Sequence, residues 1–219
     1  MTKKLNMLAT IQDGLRIALV NFLSLIAATI LYILTIWIPY LNVGTTIAMS
    51  SLPAELSKGK VINPLFIFEG KYRRNIGEYF ILIALMTLGI YVGFTFLIIP
   101  GIVISIAWSL AAPLFVDKDK GALEALRESN TLTYGNKWRI FGAEFLLALV
   151  INLIVLLVLI LTHMGDVQAL EVIGGIIAVI IILFAVPALY GVEASIYKQL
   201  TSGEIIDEET PTINVAEEV

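Results

Sequence analysis

Four runs of this chain contain no Asp, Glu, Lys or Arg: Ile17 to Ala54, Tyr79 to Val116, Phe145 to Gly165 and Val172 to Val192. Crossing a hydrocarbon core of about 30 Å takes roughly 20 apolar residues in a helix, where every backbone N–H and C=O is bonded within the segment. The last two runs have 21 residues each and suit one crossing apiece; the first two have 38 each, enough for two. The expected architecture is an all-α polytopic transmembrane bundle of six membrane-crossing helices. Composition agrees, with 58% hydrophobic and 15% charged residues, against about 45–50% and 25% in a soluble domain.

Each long run holds a breaker near its middle: Pro39 in "WIPYLNVG" and Pro100-Gly101 in "IIPGIV". Proline lacks an N–H and disfavours helix in the residue before it, and glycine accepts positive φ. These positions predict helical hairpins that turn at the far membrane face; a single kinked helix is the alternative, since membrane helices tolerate proline.

The fourteen basic residues test this map. Lys3, Lys4 and Arg16 precede the first crossing; Lys58, Lys60, Lys71, Arg73 and Arg74 separate the second from the third. Lys118, Lys120, Arg127, Lys137 and Arg139 separate the fourth from the fifth, and Lys198 follows the sixth. All fall on one side, and basic loops stay cytoplasmic, so both termini are expected in the cytoplasm. Lys3-Lys4 before an apolar run resembles a signal peptide, yet the run is too long and lacks a cleavage site, so it reads as a retained helix. The integral domain is placed at 1–203. Residues 204–219 hold six of the eighteen acids and read as a disordered cytoplasmic tail, a solvated end or a recruiter of a cytoplasmic protein partner.

Two cytoplasmic elbows, Lys58 to Glu78 and Asp117 to Arg139, share a design: each joins a returning helix to the next crossing, and "GEYFILIAL" after the first matches "GAEFLLAL" after the second. "LATIQDGLRIALVNFL" is a third, partial copy. In the second elbow Asp119 reads as an N-cap, Ala122, Leu123 and Leu126 as an apolar edge, and Gly135 as a helix stop. That predicts a short amphipathic helix on the inner leaflet, or a solvated connector that shapes the bundle.

The segments "IIPGIVISIAW", "LFVDKDKGALEALRESNTLTYGNKW" and "FAVPALYGVEASIYKQL" resemble a group of prokaryotic multipass proteins. These are the YciC-like inner-membrane proteins and the membrane domains attached to some glycerophosphodiester phosphodiesterases. The likeness runs over most of residues 5–203. It is carried by the turn at Ile99 to Gly101, the E-A-L-x-x-S stretch from Glu124 to Ser129, Tyr134-Gly135-Asn136 before Trp138, and Tyr197. It implies a six-helix integral domain in the inner membrane. Where the group includes a phosphodiesterase, catalysis belongs to a separate soluble domain, so no catalytic residue is carried over.

The chemistry available is narrow. Without Cys and with one His, His163, the chain offers no thiolate or imidazole metal site, and no cofactor or catalytic residue is assigned. No Walker loop, G-x-S-x-G elbow or H-E-x-x-H helix occurs. Trp37, Trp108, Trp138 and Tyr190 read as interface or packing aromatics rather than a base-stacking platform, so no nucleic-acid partner is expected. Glu144 and Glu193 sit just inside apolar helices, where an ionisable group is costly and points to function. They line a polar pathway with Asn152, or they snorkel or pair near Arg139 and Lys198 while Asn152 bonds across to another helix. Lys71, Arg73 and Arg74 are candidates for lipid-headgroup binding; the alternative is that they serve only to orient the helices. The G-x-x-x-G at Gly89 to Gly93, and Gly174-Gly175, read as close-packing faces, or the former as a homo-oligomer interface.

Three functions fit. The first is a non-enzymatic membrane module that organises lipids or partner proteins. The second is a small-solute or ion transporter or channel built from the repeat. The third, a lipid-modifying enzyme using inner-face carboxylates, ranks last because no paired carboxylates with metal-like spacing appear.

Overall fold

The computed structural model describes residues 4–163 and 168–202, and every regular element among them is helical. The helices are α1 (Met7–Val20), α2 (Phe22–Thr35), α3 (Leu41–Ser50), α4 (Leu52–Leu56), α5 (Ile76–Phe96), α6 (Ile98–Trp108), α7 (Ala111–Asp117), α8 (Ala122–Thr133), α9 (Lys137–His163) and α10 (Gln168–Ser202). Two short 3₁₀ turns, Pro64–Phe68 and Gly70–Arg73, fill the first elbow. The acidic tail lies outside the described residues.

Four helical segments are long and apolar enough to cross a membrane: Ile76–Phe96, Ile98–Asp117, Lys137–His163 and Leu170–Ser202. The chain is a multi-pass membrane protein. A fifth crossing is counted only if α1 and α2, bent by 73°, are taken as one, so four or five of the expected six are supported among the described residues. The difference lies in the first charge-free run. At its start Asn21 breaks the helix: its Nδ2 donates to the Ile17 carbonyl at 3.0 Å while its Oδ1 accepts the Ile62 N–H at 2.9 Å. What remains is α2, 14 residues or about 21 Å at 1.5 Å per residue, and then the two short pieces α3 and α4.

The chain does reverse at Pro39, between α2 and α3, where Tyr32 Oη meets Thr46 Oγ1 at 3.4 Å and Thr35 Oγ1 donates to Thr45 Oγ1 at 3.1 Å. In the second run the turn falls earlier than Pro100-Gly101. Leu97 alone is extended, at φ −162° and ψ 152°, and Pro100 is the third residue of α6, a position whose N–H has no intrahelical acceptor anyway. Gly101 serves proximity instead of turning: a Cβ there would land on the Phe94 ring, and one on Gly93 would come within 3.0 Å of Gly101 Cα. A Cβ on Gly89 would strike Trp108. The G-x-x-x-G therefore packs α5 against α6 inside one chain.

Both returning helices break at a Ser-Leu pair, Ser51-Leu52 between α3 and α4 and Ser109-Leu110 between α6 and α7, and a proline follows in each, Pro53 and Pro113. This shared break supports an internal duplication more firmly than the loose likeness of the elbows.

Helix α8 starts later than expected. Asp119 is not its N-cap but has φ +48° and accepts from Asn75 Nδ2 at 3.1 Å. The N-cap position is Gly121, and the free N–H of Ala122 is held by Glu78 Oε1 from α5 at 2.9 Å. Gly135, at φ +80°, follows the helix end as expected. Its buried edge is Ala122, Ala125, Leu126, Ser129 and Thr133, leaving Leu123 exposed. This edge packs up under α6 and α7.

Helix α1 runs antiparallel along the last third of α10. Gln199 Nε2 donates to Thr10 Oγ1 at 3.1 Å, Ser195 Oγ donates to Asp13 at 2.8 Å, and the Phe22 and Phe184 rings stack at 4.4 Å. Between them Gly14 meets Val192, leaving 2.6 Å for any Cβ. Buried residues concentrate at this end of the bundle: Tyr79 and Leu82 on α5, Ile140, Ala143 and Leu147 on α9, Val192 and Ala194 to Tyr197 on α10. The opposite halves of α9 and α10 present exposed Leu, Ile and Val almost throughout.

Candidate functional site

The polar groups that could act on a ligand gather where the elbows meet. Glu55, on α4, is the hub: its carboxylate takes Lys71 Nζ at 2.9 Å and Lys58 Nζ at 3.0 Å. Lys58 also reaches Asp117 on α7 at 3.3 Å, and Asp117 accepts from Tyr197 Oη on α10 at 2.8 Å. One chain of charges thus ties both returning helices, the first elbow and α10. Burial alone would raise the Glu55 pKa, but the hydrogen bonds from Lys71 and Lys58 outweigh it and hold it below the usual carboxylate value. Lys71 is likewise raised by Glu55 and Glu69 against the opposing effect of burial. A second knot on α8 joins Glu128 to Lys118 at 2.7 Å and Lys120 at 2.8 Å, which lowers the Glu128 pKa.

Beside the hub lies a cleft of about 210 Å³. Its walls are Ile47, Phe115 and Val116, and its polar rim is Lys71, Arg74, Asn75 and Asp119, with Tyr72 beneath. Burial pushes the Tyr72 phenol up to about 12, so it is a neutral hydrogen-bonding group. The three expected headgroup residues separate here. Lys71 lines the cleft but is held by Glu55 and by Glu69 at 3.0 Å. Arg73 turns the other way, its Nη2 on the Phe68 carbonyl at 3.3 Å and its stem against Gly44. Arg74 lines the cleft, exposed, and among the described residues its guanidinium has no hydrogen bond or ion pair.

Of the expected pathway residues, Glu144 and Glu193 come together. They stand half-buried on α9 and α10, which pack against each other. Neither carboxylate has a hydrogen bond or ion pair among the described residues. Arg139, expected near Glu144, instead donates to the Leu5 carbonyl at 2.5 Å. Asn152 stands apart, two turns further along α9 and exposed, and its amide bonds back to the Ala148 carbonyl at 2.8 Å rather than across to another helix. His163 pairs with Glu171 at 2.9 Å. Among the described residues no group of three or more His, Asp or Glu converges as metal ligands.

Several positions that carried the resemblance turn out to be staples of this end. Ser129 bridges the break between α6 and α7. Asn136 Oδ1 accepts the Leu5 N–H at 2.9 Å, and Tyr197 caps the charge chain. Asn21, by residue type a structural polar group within an apolar run, does similar work, and so does Glu78, which had not stood out in the sequence because it is a single acid at the edge of an apolar run. Gly14 and Gly191 were legible only as a pair, once α1 and α10 were known to touch.

No family model matches the chain, and no solved structure matches it. Part of it is similar to a "UPF0259 membrane protein" of Sodalis glossinidius (strain morsitans), 39% identical over 56 residues, which cover 26% of this chain and 22% of that relative. The matched part is thus under a quarter of the relative's length. The likeness is to a prokaryotic membrane protein and is not specific to the YciC-like group or to phosphodiesterase membrane domains.

Proposed function

We propose that this chain is a non-enzymatic membrane module that seats an anionic lipid headgroup in the elbow cleft. The observation that carries the reading is Arg74: a guanidinium on the rim of a cleft with apolar walls, with no hydrogen bond or ion pair among the described residues, beside Lys71, Asn75 and Asp119, whose carboxylate is taken by Asn75 Nδ2. Arginine's fork matches a phosphate bidentately, and Ile47, Phe115 and Val116 suit the start of an acyl chain. The elbow side is the cytoplasmic one in this reading, since it holds the basic residues, with both termini there, in a prokaryotic inner membrane. In this reading the acidic residues 204–219 serve to recruit a cytoplasmic protein.

The test is lipid retention by native mass spectrometry from nanodiscs of mixed neutral and phosphatidylglycerol lipid. Arg74→Gln is expected to lower retained anionic lipid about tenfold, and Lys71→Gln to do less because Lys71 already has two carboxylates. Equal retention by wild type and Arg74→Gln would end the proposal.

A small-solute or ion transporter is the second reading, favoured by Glu144 and Glu193, which have no hydrogen bond or ion pair among the described residues and lie within the apolar helices. Cation or proton flux in proteoliposomes that falls in both Glu144→Gln and Glu193→Gln would support it; undiminished flux would remove these residues from it.

A further inference from the structure

We infer that the α2–α3 hairpin does not cross the bilayer but lies sideways in the elbow-side leaflet, its apolar surface covered by the acyl chains of that leaflet. This is independent of the headgroup cleft.

Depth can be read from register. The charge-free run of α10 ends at Val192, which Gly14 of α1 touches; Phe22 stacks on Phe184, eight residues deeper. At 1.5 Å per residue, α1 has descended about 12 Å when it stops. There the chain bends by 73°. The contacts of α3 and of the hairpin's polar groups then belong to the elbow end. Tyr32 packs with Tyr79 and Tyr190 around one core cluster, and Ser50 Oγ accepts from Tyr79 Oη at 2.9 Å, only four residues into α5. Gly44 abuts the Arg73 stem, and Ile62 of the elbow holds Asn21. Crossing would instead carry α3 past the far halves of α5 and α6.

The hairpin also has the surface of a lipid-embedded element. Its run from Ile17 to Ala54 is charge-free. Trp37 at the tip is 85% exposed, with Ile33, Leu34, Ile38 and Tyr40 exposed around it. At the turn, Asn42 Nδ2 donates to the Ile36 carbonyl at 3.3 Å, Ile38 N–H to Thr35 at 3.0 Å, and Asn42 N–H to Ile38 at 3.0 Å. Internal closure of these groups is what an apolar surrounding demands.

The chain has no cysteine, so single cysteines report cleanly. Trp37→Cys and, as a second tip position, Ile38→Cys are compared in sealed vesicles with Gly70→Cys on the elbow and Thr95→Cys beside the Leu97 turn. An impermeant maleimide added on the Thr95 side is expected to label Thr95→Cys and to leave both tip positions at least tenfold slower. A nitroxide at either tip position is expected to be relaxed by oxygen more than by a polar nickel chelate. Tip labelling from the Thr95 side at the Thr95 rate would overturn the inference. So would disulfide formation between tips of two chains at high lipid-to-protein ratio, which would make a second copy the covering surface.

Discussion

Ser129 of α8 inserts its hydroxyl into the broken helix opposite: its Oγ accepts the Leu110 N–H at 3.2 Å and donates to the Ala107 carbonyl at 2.7 Å. Ser129 is fully buried. Two main-chain groups released by the break between α6 and α7 are thereby satisfied by one side chain from an element outside the span.

Ser129→Ala leaves that N–H and that carbonyl without this partner in a dry setting, at a cost of about 1–3 kcal/mol. The expected outcome is a lower midpoint of thermal unfolding in detergent, with helix content at low temperature unchanged. A variant as stable as the parent would show that water or a backbone shift replaces the hydroxyl.

The α1–α10 crossing depends on missing side chains. A Cβ on Gly191 would land on the Gly14 carbonyl oxygen, which is main chain and has no rotamer to yield. Gly191→Ala should push α1 off its seat, at a cost of about 1–3 kcal/mol for an overpacked contact. Thr10→Cys and Gln199→Cys, whose parent side chains touch, should be linked by a short bifunctional maleimide faster in the Gly191 background than in the alanine variant.

Acid should loosen the elbows. Glu55 and Glu128 have folded pKa values below the ordinary 4.5, so their stabilisation is present above that value and is lost as pH falls through the lower, folded one. The lysine partners are partly exposed, with 36–48% for Lys58, Lys71 and Lys118, so solvent screening keeps each pair to about 0.2–1 kcal/mol. Thermal midpoints measured from pH 7 down to pH 3 should fall below pH 4.5, less steeply in Glu55→Gln.

Asn136→Ala removes the acceptor for the Leu5 N–H, and Leu5 is itself buried. Faster proteolysis near residue 5 is expected, at a stability cost of about 1–2 kcal/mol, while the α5–α6 hairpin keeps its protection.

The crossings most legible in advance were those whose apolar length matched one bilayer with nothing to divert it, as in α9 and α10. The first run failed this rule for a local reason: Asn21 bonds to an elbow residue 41 positions away, and hydropathy carries no record of such a partner. Pro100 showed that the chain turns, yet it sits past the turn, since a proline costs nothing in a first helical turn. Asp119 looked like a cap by residue type, whereas the capping carboxylate came from Glu78 on another helix. Among the site residues, position on the elbow could be read from charge clustering. Which cation was already paired could not, because Glu55 and Glu69 approach Lys71 only after folding, and Arg73 is drawn aside by the space over Gly44.

The concentration of charge, buried side chains and polar staples at one end of the bundle makes the molecule chemically one-sided. The elbow end carries arginine, lysine, asparagine and a shaped recess; the other end, among the described residues, is mostly exposed aliphatic and aromatic side chains with the His163–Glu171 pair at its rim. If the proposed headgroup seat holds, headgroup changes in the monolayer beside the elbows should alter the protein's retained lipid far more than the same changes in the other monolayer.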